Sequence, residues 1–181
     1  MDSDLYEAQP CNLTKHAVFE LAEDIANQLD FNPGDKLDIA LKKLGGRLKV
    51  KDFWAAADEE IASIYVYDEG YFEIFLPTSS SKHRDRFTIA HEIGHYVLHY
   101  LYPRADGKTI PNSKIMFAQR YGSSRVEWEA NWFAAAFLMP EEKFKQHYKE
   151  CNGDLISIAD YFGVSAKAAE IRAETMGLII E

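Results

Sequence analysis

Apolar residues between positions 14 and 29 fall at Ala17, Val18, Leu21, Ala22, Ile25, Ala26 and Leu29, one stripe of a 3.6-residue period, with Thr14 where an N-cap belongs. The pattern predicts an amphipathic helix. A shorter helix is predicted over residues 36–44, starting after Asp35 and ending at Gly45-Gly46, where glycine takes the left-handed C-cap conformation. The period then changes from 3.6 to 2. RLKVKD (47–52) reads as a strand, and IASIYVYDEGYFEIFLP (61–77) as two β-branched and aromatic runs folded into a hairpin at Asp68-Glu69-Gly70. A small sheet of about three strands results, with KIMFAQR (114–120) available as a further one.

The rest of the chain returns to helical spacing. RFTIAHEIGHYVLHY lies in a helix predicted over about 83–102 and ended by Pro103, and a polar connection without strong periodicity runs to about residue 122. SSRVEWEANWFAAAFLMP predicts a helix capped by Ser123 or Ser124 and stopped at Pro140, and PEEKFKQHYKECNG a further one with proline near its first turn. DLISIADYF and SAKAAEIRAETM, separated by GVS and closed by Gly177, give a helix-turn-helix-like tail. The expected architecture is a single α+β domain over residues 1–181, mostly helical, with residues 154–181 as its C-terminal helical tail.

Composition narrows the function classes. An apolar fraction of 47% over 181 residues is enough for a full core. No apolar run reaches the roughly 18 residues of a membrane span, and the first twenty residues lack a basic and then apolar leader, so the expected location is the cytoplasm. Cys11 and Cys151 stand far apart without a CxxC partner, which encodes neither a disulfide framework nor a thiolate zinc site. The net charge of -9 argues against an extended nucleic-acid surface. The tail repeats that argument: its five acids face only Lys167 and Arg172, whereas helices that read DNA are basic. A packing or docking role fits it better.

Chemistry concentrates in the helix over 83–102. His91 and His95 are four apart, which on a helix sets their rings about 40° apart and about 6 Å apart along the axis, close enough to hold one cation. Glu92 projects to the side, where a carboxylate can take a proton from water at the metal; this is the mechanical content of HExxH. The alternative is an ordinary helix carrying histidines. Against it, Phe87, Ile89, Ala90, Ile93, Gly94, Val97 and Leu98 surround the polar trio, which places it in the interior, and glycine inside a helix costs about 1 kcal/mol unless another element packs close there. His99 lies about 12 Å further along the axis than His91, too far to share the ion, and is expected to pack or hydrogen-bond.

Two histidines underfill a zinc site. Glu127 and Asn131, four apart on the helix after residue 124, supply a third donor and an amide able to orient a histidine. Glu127 also fits a capping box with Ser124, in which it would bond only its own helix terminus, and Glu129 is the fallback ligand. Trp128 and Trp132 read as core or wall residues.

RFTIAHEIGHYVLH and EWEANWFAAAFLMP together resemble the metal helix and third-ligand helix of the ImmA/IrrE family of zinc metallopeptidases, and the likeness extends from the N-terminal helix to IADYFGVSAKAAEIRAETMGLI. The resemblance implies a zincin-like fold, Zn2+ held by His91, His95 and Glu127, and Glu92 as general base. It also implies a protein substrate of the helix-turn-helix repressor kind, in a phage, mobile-element or stress-response setting. Asn131 departs from the aspartate that often orients a histidine in related enzymes, so the metal is expected to be held less tightly or its water to be less basic. An oxyanion donor is open among Tyr96, His99, Tyr121 and Arg125, and the hairpin edge is a candidate for strand addition by an extended substrate.

Overall fold

The computed structural model describes residues 5–51, 62–67, 70–78, 82–107, 115–119 and 124–179. Strand β1 (Leu5–Glu7) leads to α1 (Lys15–Gln28), whose N-cap Thr14 accepts a hydrogen bond from the Ala17 amide as the stripe predicted. Val18, Ala22 and Ala26 form its buried face. α2 (Leu37–Lys43) follows and stops before Gly45, whose φ of 83° is the left-handed conformation that ends a helix cheaply only in glycine.

β2 (Gly46–Lys51), β3 (Ala62–Val66) and β4 (Phe72–Pro77) come next, and β3 and β4 pair antiparallel as the expected hairpin. Its turn is closed by the Tyr67 amide donating to the Tyr71 carbonyl at 2.8 Å; Asp68 and Glu69 lie outside the described residues. β4 alternates buried and half-buried residues, with Phe72, Ile74 and Leu76 facing the core.

The sheet is larger than expected. It has five strands in the order β1-β5-β3-β4-β2, because β5 (Ile115–Gln119) pairs antiparallel with β3 and parallel with β1. A three-residue strand such as β1 carries no periodicity to read, and β5 is the KIMFAQR segment. One expectation is overturned by this order. Both hairpin strands have neighbours on both sides, β5 beyond β3 and β2 beyond β4, so the described sheet has its edges at β1 and β2 and the hairpin offers none to a substrate.

α3 (Lys82–His95) runs directly into a π-helical segment (Tyr96–Leu101) and then α4 (Tyr102–Ala105). The helical path therefore passes Pro103 instead of ending there. Proline falls in the first turn of α4, directly after the π-helical segment. α5 (Arg125–Leu138) packs against α3 and α1 and buries Phe133, Ala134, Phe137 and Leu138.

α6 (Glu141–Glu150), α7 (Leu155–Phe162) and α8 (Ala166–Thr175) complete the chain. Asp154 and Ser165 cap α7 and α8 with side-chain oxygens, and Gly163 takes the left-handed C-cap between them. The tail is bound to the body through Arg172, only 2% exposed, whose Nε donates to the Met139 carbonyl at 3.0 Å and whose guanidinium lies 4.5 Å over the Phe19 ring. Lys167 pairs with Glu170 at 2.5 Å. Among the described residues no helix is long and apolar enough to cross a membrane.

Candidate metal centre

Gly94 is where the two site helices meet. A Cβ built there would stand 3.1 Å from Phe133 Cβ and 3.2 Å from both the Cα and the carbonyl oxygen of Ala130. Only a glycine admits α5 this closely, which accounts for its presence inside α3. The contact carries the first turn of α5 over the histidines. Glu127, in that turn, places Oε2 3.2 Å from His91 Nε2 and Oε1 3.1 Å from His95 Nε2, and the two ring nitrogens are 3.0 Å apart. Ser124 is the N-cap residue, yet its side chain makes no capping bond. With Glu127 turned to the rings, the capping-box alternative has no support in the geometry.

The proton positions around these atoms follow from their partners. His91 Nδ1 is 3.0 Å from Asn131 Oδ1, so the ring donates there and presents a bare Nε2. His95 Nδ1 is likewise taken, 3.0 Å from His99 Nδ1, leaving Nε2 toward Glu127. Two ring lone pairs and a carboxylate aimed at one point from 3.0–3.2 Å repel each other unless a positive charge stands between them. A tetrahedral zinc site with bonds of 2.0–2.2 Å sets its ligands about 3.3 Å apart, so the three donors fit such an ion with a small outward movement. His95 is sealed, while His91 and Glu127 keep 13% and 12% of their side chains exposed, so the cluster opens to solvent on one side.

Electrostatics agree with this picture. Burial drives His95 down to about 3, so its ring is neutral and able to bind a cation. Burial works against a charged His91 as well, but Glu127, Glu92 and Asn131 beside it outweigh burial and lift the ring above the ordinary histidine range; a proton here substitutes for a metal ion. Burial would raise Glu127, yet the rings of His91 and His95 hold it at about 2. Glu92 is 3% exposed and its Oε2 accepts from Ser63 Oγ at 3.0 Å. The sequence gives no signal for Ser63, which reaches Glu92 from the sheet.

The fallback ligand Glu129 lies elsewhere. It is fully buried, with Oε2 accepting from the Cys11 amide at 2.9 Å and His99 Nε2 at 3.0 Å, and Oε1 from the Asn12 amide at 3.0 Å and Arg125 Nε at 2.8 Å. Burial opposes its charge, and these donors overcome it and hold the carboxyl at about 2. Cys11, His99 and Glu129 form a second cluster of potential metal ligands within 4.8 Å. Glu129 has four donors on its two oxygens, and burial together with Glu129 pushes the Cys11 thiol up to about 12, so this group is a hydrogen-bond network. Cys11 is inert there, as its isolation in the sequence implied.

Two of the expected oxyanion donors are engaged: His99 bonds Glu129, and Arg125 donates to Glu129 and to the Leu13 carbonyl. Tyr96 is buried with its ring stacked on Phe72, centroids 4.1 Å apart, and on Tyr100, and Tyr121 lies outside the described residues. Beside the centre, Phe87, Trp128, Asn131, Trp132, Met139 and Ile171 line a groove of about 410 Å³. Trp128 is 50% exposed, a wall of this groove and no part of the core.

An HExxH helix crossed by a helix that contributes a glutamate defines a metallopeptidase-like site on an α+β scaffold. The chain belongs to the family described as Peptidase_M78, IrrE N-terminal-like domain, the ImmA/IrrE family, whose model matches residues 46–174. Among solved structures, a Mycobacterium tuberculosis transcriptional regulator superposes with a TM-score of 0.56 and 18% identity over 88% of this chain. The present chain spans 47% of that protein's length, and at this identity the likeness concerns the fold alone. No curated protein matches significantly.

Proposed function

We propose that the protein is a zinc-dependent endopeptidase whose substrate is a helix-turn-helix transcriptional repressor or a similar regulatory protein. The observation that carries this reading is the convergence of His91 Nε2, His95 Nε2 and the Glu127 carboxylate within 3.0–3.2 Å, with Glu92 buried beside them. Family membership supports a protease-like scaffold, and the regulator with a similar fold is compatible with a regulatory setting.

In this reading His91, His95 and Glu127 hold the zinc, and Asn131 orients His91. Bound zinc supplies a Lewis acid that brings the pKa of water from 15.7 to about 7 and polarises the scissile carbonyl. Glu92 takes a proton from the attacking water and returns it to the departing amide nitrogen, so no covalent intermediate with the enzyme is required. Ser63 steadies Glu92 from β3 by donating to its Oε2. The groove walled by Trp128 and Trp132 receives an apolar side chain of the substrate and excludes water next to the scissile bond.

A second reading has the same site hold zinc while the protein binds its partner without cutting it. A buried carboxylate next to an open coordination side has no use in such a protein, which favours cleavage. Purified protein analysed for zinc and incubated with the repressor encoded beside its own gene tests both readings. Glu92→Gln should keep its zinc and lose about 10²–10⁴-fold in cleavage rate. Zinc-loaded wild type that binds the repressor and leaves it intact would establish the second reading.

A further inference from the structure

We propose that Glu129 and His99 are positioning residues that fix His95 as the tautomer protonated on Nδ1, turning its Nε2 lone pair toward the metal. The Cys11 and Asn12 amides and Arg125 hold Glu129 in place for this task. The inference rests on the reading of His91, His95 and Glu127 as a metal site, and adds to it two residues that touch neither ion nor substrate.

The direction of the hydrogen-bond chain is fixed at its buried end. At the far end, three of the four groups around Glu129, the two backbone amides and Arg125 Nε, are able only to donate. The carboxylate is therefore an acceptor on every side, and His99 Nε2, 3.0 Å away, must bring the proton. A neutral His99 that donates from Nε2 is bare on Nδ1, and this atom, 3.0 Å from His95 Nδ1, must accept. The His95 proton therefore sits on Nδ1, and its Nε2 lone pair faces Glu127 Oε1 and the His91 ring, where a cation is needed to hold the three groups together. Had His99 carried its proton on Nδ1, His95 would be forced to protonate Nε2 and could not bind a metal.

The fold builds this link deliberately. His99 follows His95 by four positions, the spacing that makes side chains neighbours on one helix face. It lies in the π-helical segment, with its ring centroid 5.1 Å from that of His95. His99 and Glu129 are both sealed from solvent, so no water competes for their bonds. Loss of an outer partner of a ligating histidine commonly costs 10–100-fold in metal affinity.

The test uses metal-free full-length protein with ¹⁵N-labelled histidine, read by imidazole NMR for tautomer and by competition with a chromogenic chelator for zinc affinity. Wild type is expected to show His95 protonated on Nδ1. His99→Leu should lose that fixed tautomer and bind zinc about 10–100-fold more weakly. His99→Gln, which offers a carbonyl to His95 and an N–H to Glu129, should recover most of the affinity. Glu129→Gln keeps the shape but presents an amide, and should weaken zinc binding and mix the His95 tautomers; it decides the matter should His99→Leu fail to fold. His95 protonated on Nε2 in wild type, or unchanged zinc affinity in both His99→Leu and Glu129→Gln, would overturn the proposal. Wild type that binds no zinc yet keeps the Nδ1–H ring would sink the metal reading and leave the relay standing.

Discussion

Gly94 and Ala130 bring the backbones of α3 and α5 together, with only 3.2 Å between the Ala130 Cα and the place a Gly94 side chain would begin. Alanine at 94 gains about 1 kcal/mol in helix propensity, but overpacking costs about 1–3 kcal/mol, and the atoms it meets are backbone and a fully buried Cβ that cannot swing aside. Gly94→Ala should melt below wild type and lose zinc affinity, because the first turn of α5 carries Glu127. Calorimetry and a zinc titration read the two effects, and a variant that melts higher would show that α5 yields easily.

Zinc should stabilise the folded protein by mass action. At free metal of about 100 times its dissociation constant the gain is about 2.7 kcal/mol, visible as a rise in melting temperature that a chelator reverses. Glu127→Ala removes one of three donors and should lose most of this rise, whereas Glu92→Gln should retain it. Equal rises in wild type and Glu127→Ala would remove Glu127 from the ligand set.

Arg172 fastens the tail through Glu23, 3.3 Å from its NH2, and through the Met139 carbonyl. Burial brings the guanidinium down to about 10 and also raises Glu23, so both charges are costly to leave unmatched. Arg172→Met should destabilise by about 3 kcal/mol, the low end for a broken buried pair because Glu23 is 26% exposed and partly rehydrates. Adding Glu23→Gln should restore part of the loss in urea unfolding. Additive effects of the two changes would mean that the pair is not coupled.

Asp154 caps α7 by accepting from the Ser157 hydroxyl and amide and from the Ile156 amide, in that order of effect, and these bonds lower its carboxyl below 3.8. A carboxyl lowered in the folded state contributes stability that is complete above its unfolded value and disappears as pH falls through the folded one, so this contribution should fade below about pH 4. Asp154→Asn, which still caps, should unfold like wild type at pH 7 and lose that acid dependence. Asp154→Ala, which removes the cap, should lower the urea midpoint at pH 7. Urea midpoints across pH 3–7 for the three proteins check both statements.

How much of this was legible in the sequence differs by element. The stripe of α1, the glycine stop of α2 and the hairpin signals all act over short range, and each is found where the pattern puts it. The His91, His95 and Glu127 grouping was legible because helical spacing fixes the first two and Gly94 announces a close neighbour. β1 was missed because its three residues gain their structure from pairing with β5, a partner more than 100 positions away. The hairpin edge was misjudged for the same reason, since no local signal shows that β5 covers it. Ser63 and the role of Glu129 were equally hidden. Both depend on which backbone amides and side chains arrive from distant segments.

The π-helical stretch also sets what this region tolerates. A π turn holds about one residue more than an α turn, so a single deletion in YVLHYL could be absorbed by a return to regular pitch, whereas a residue added there would turn everything beyond it by about 100°. Arg104, which packs its guanidinium on Tyr100 and reaches the Tyr6 hydroxyl beside the first strand, would leave both. Such a shift would unclasp the sheet margin and the histidine row in one stroke, so at this place the chain accepts altered side chains far more readily than an added residue.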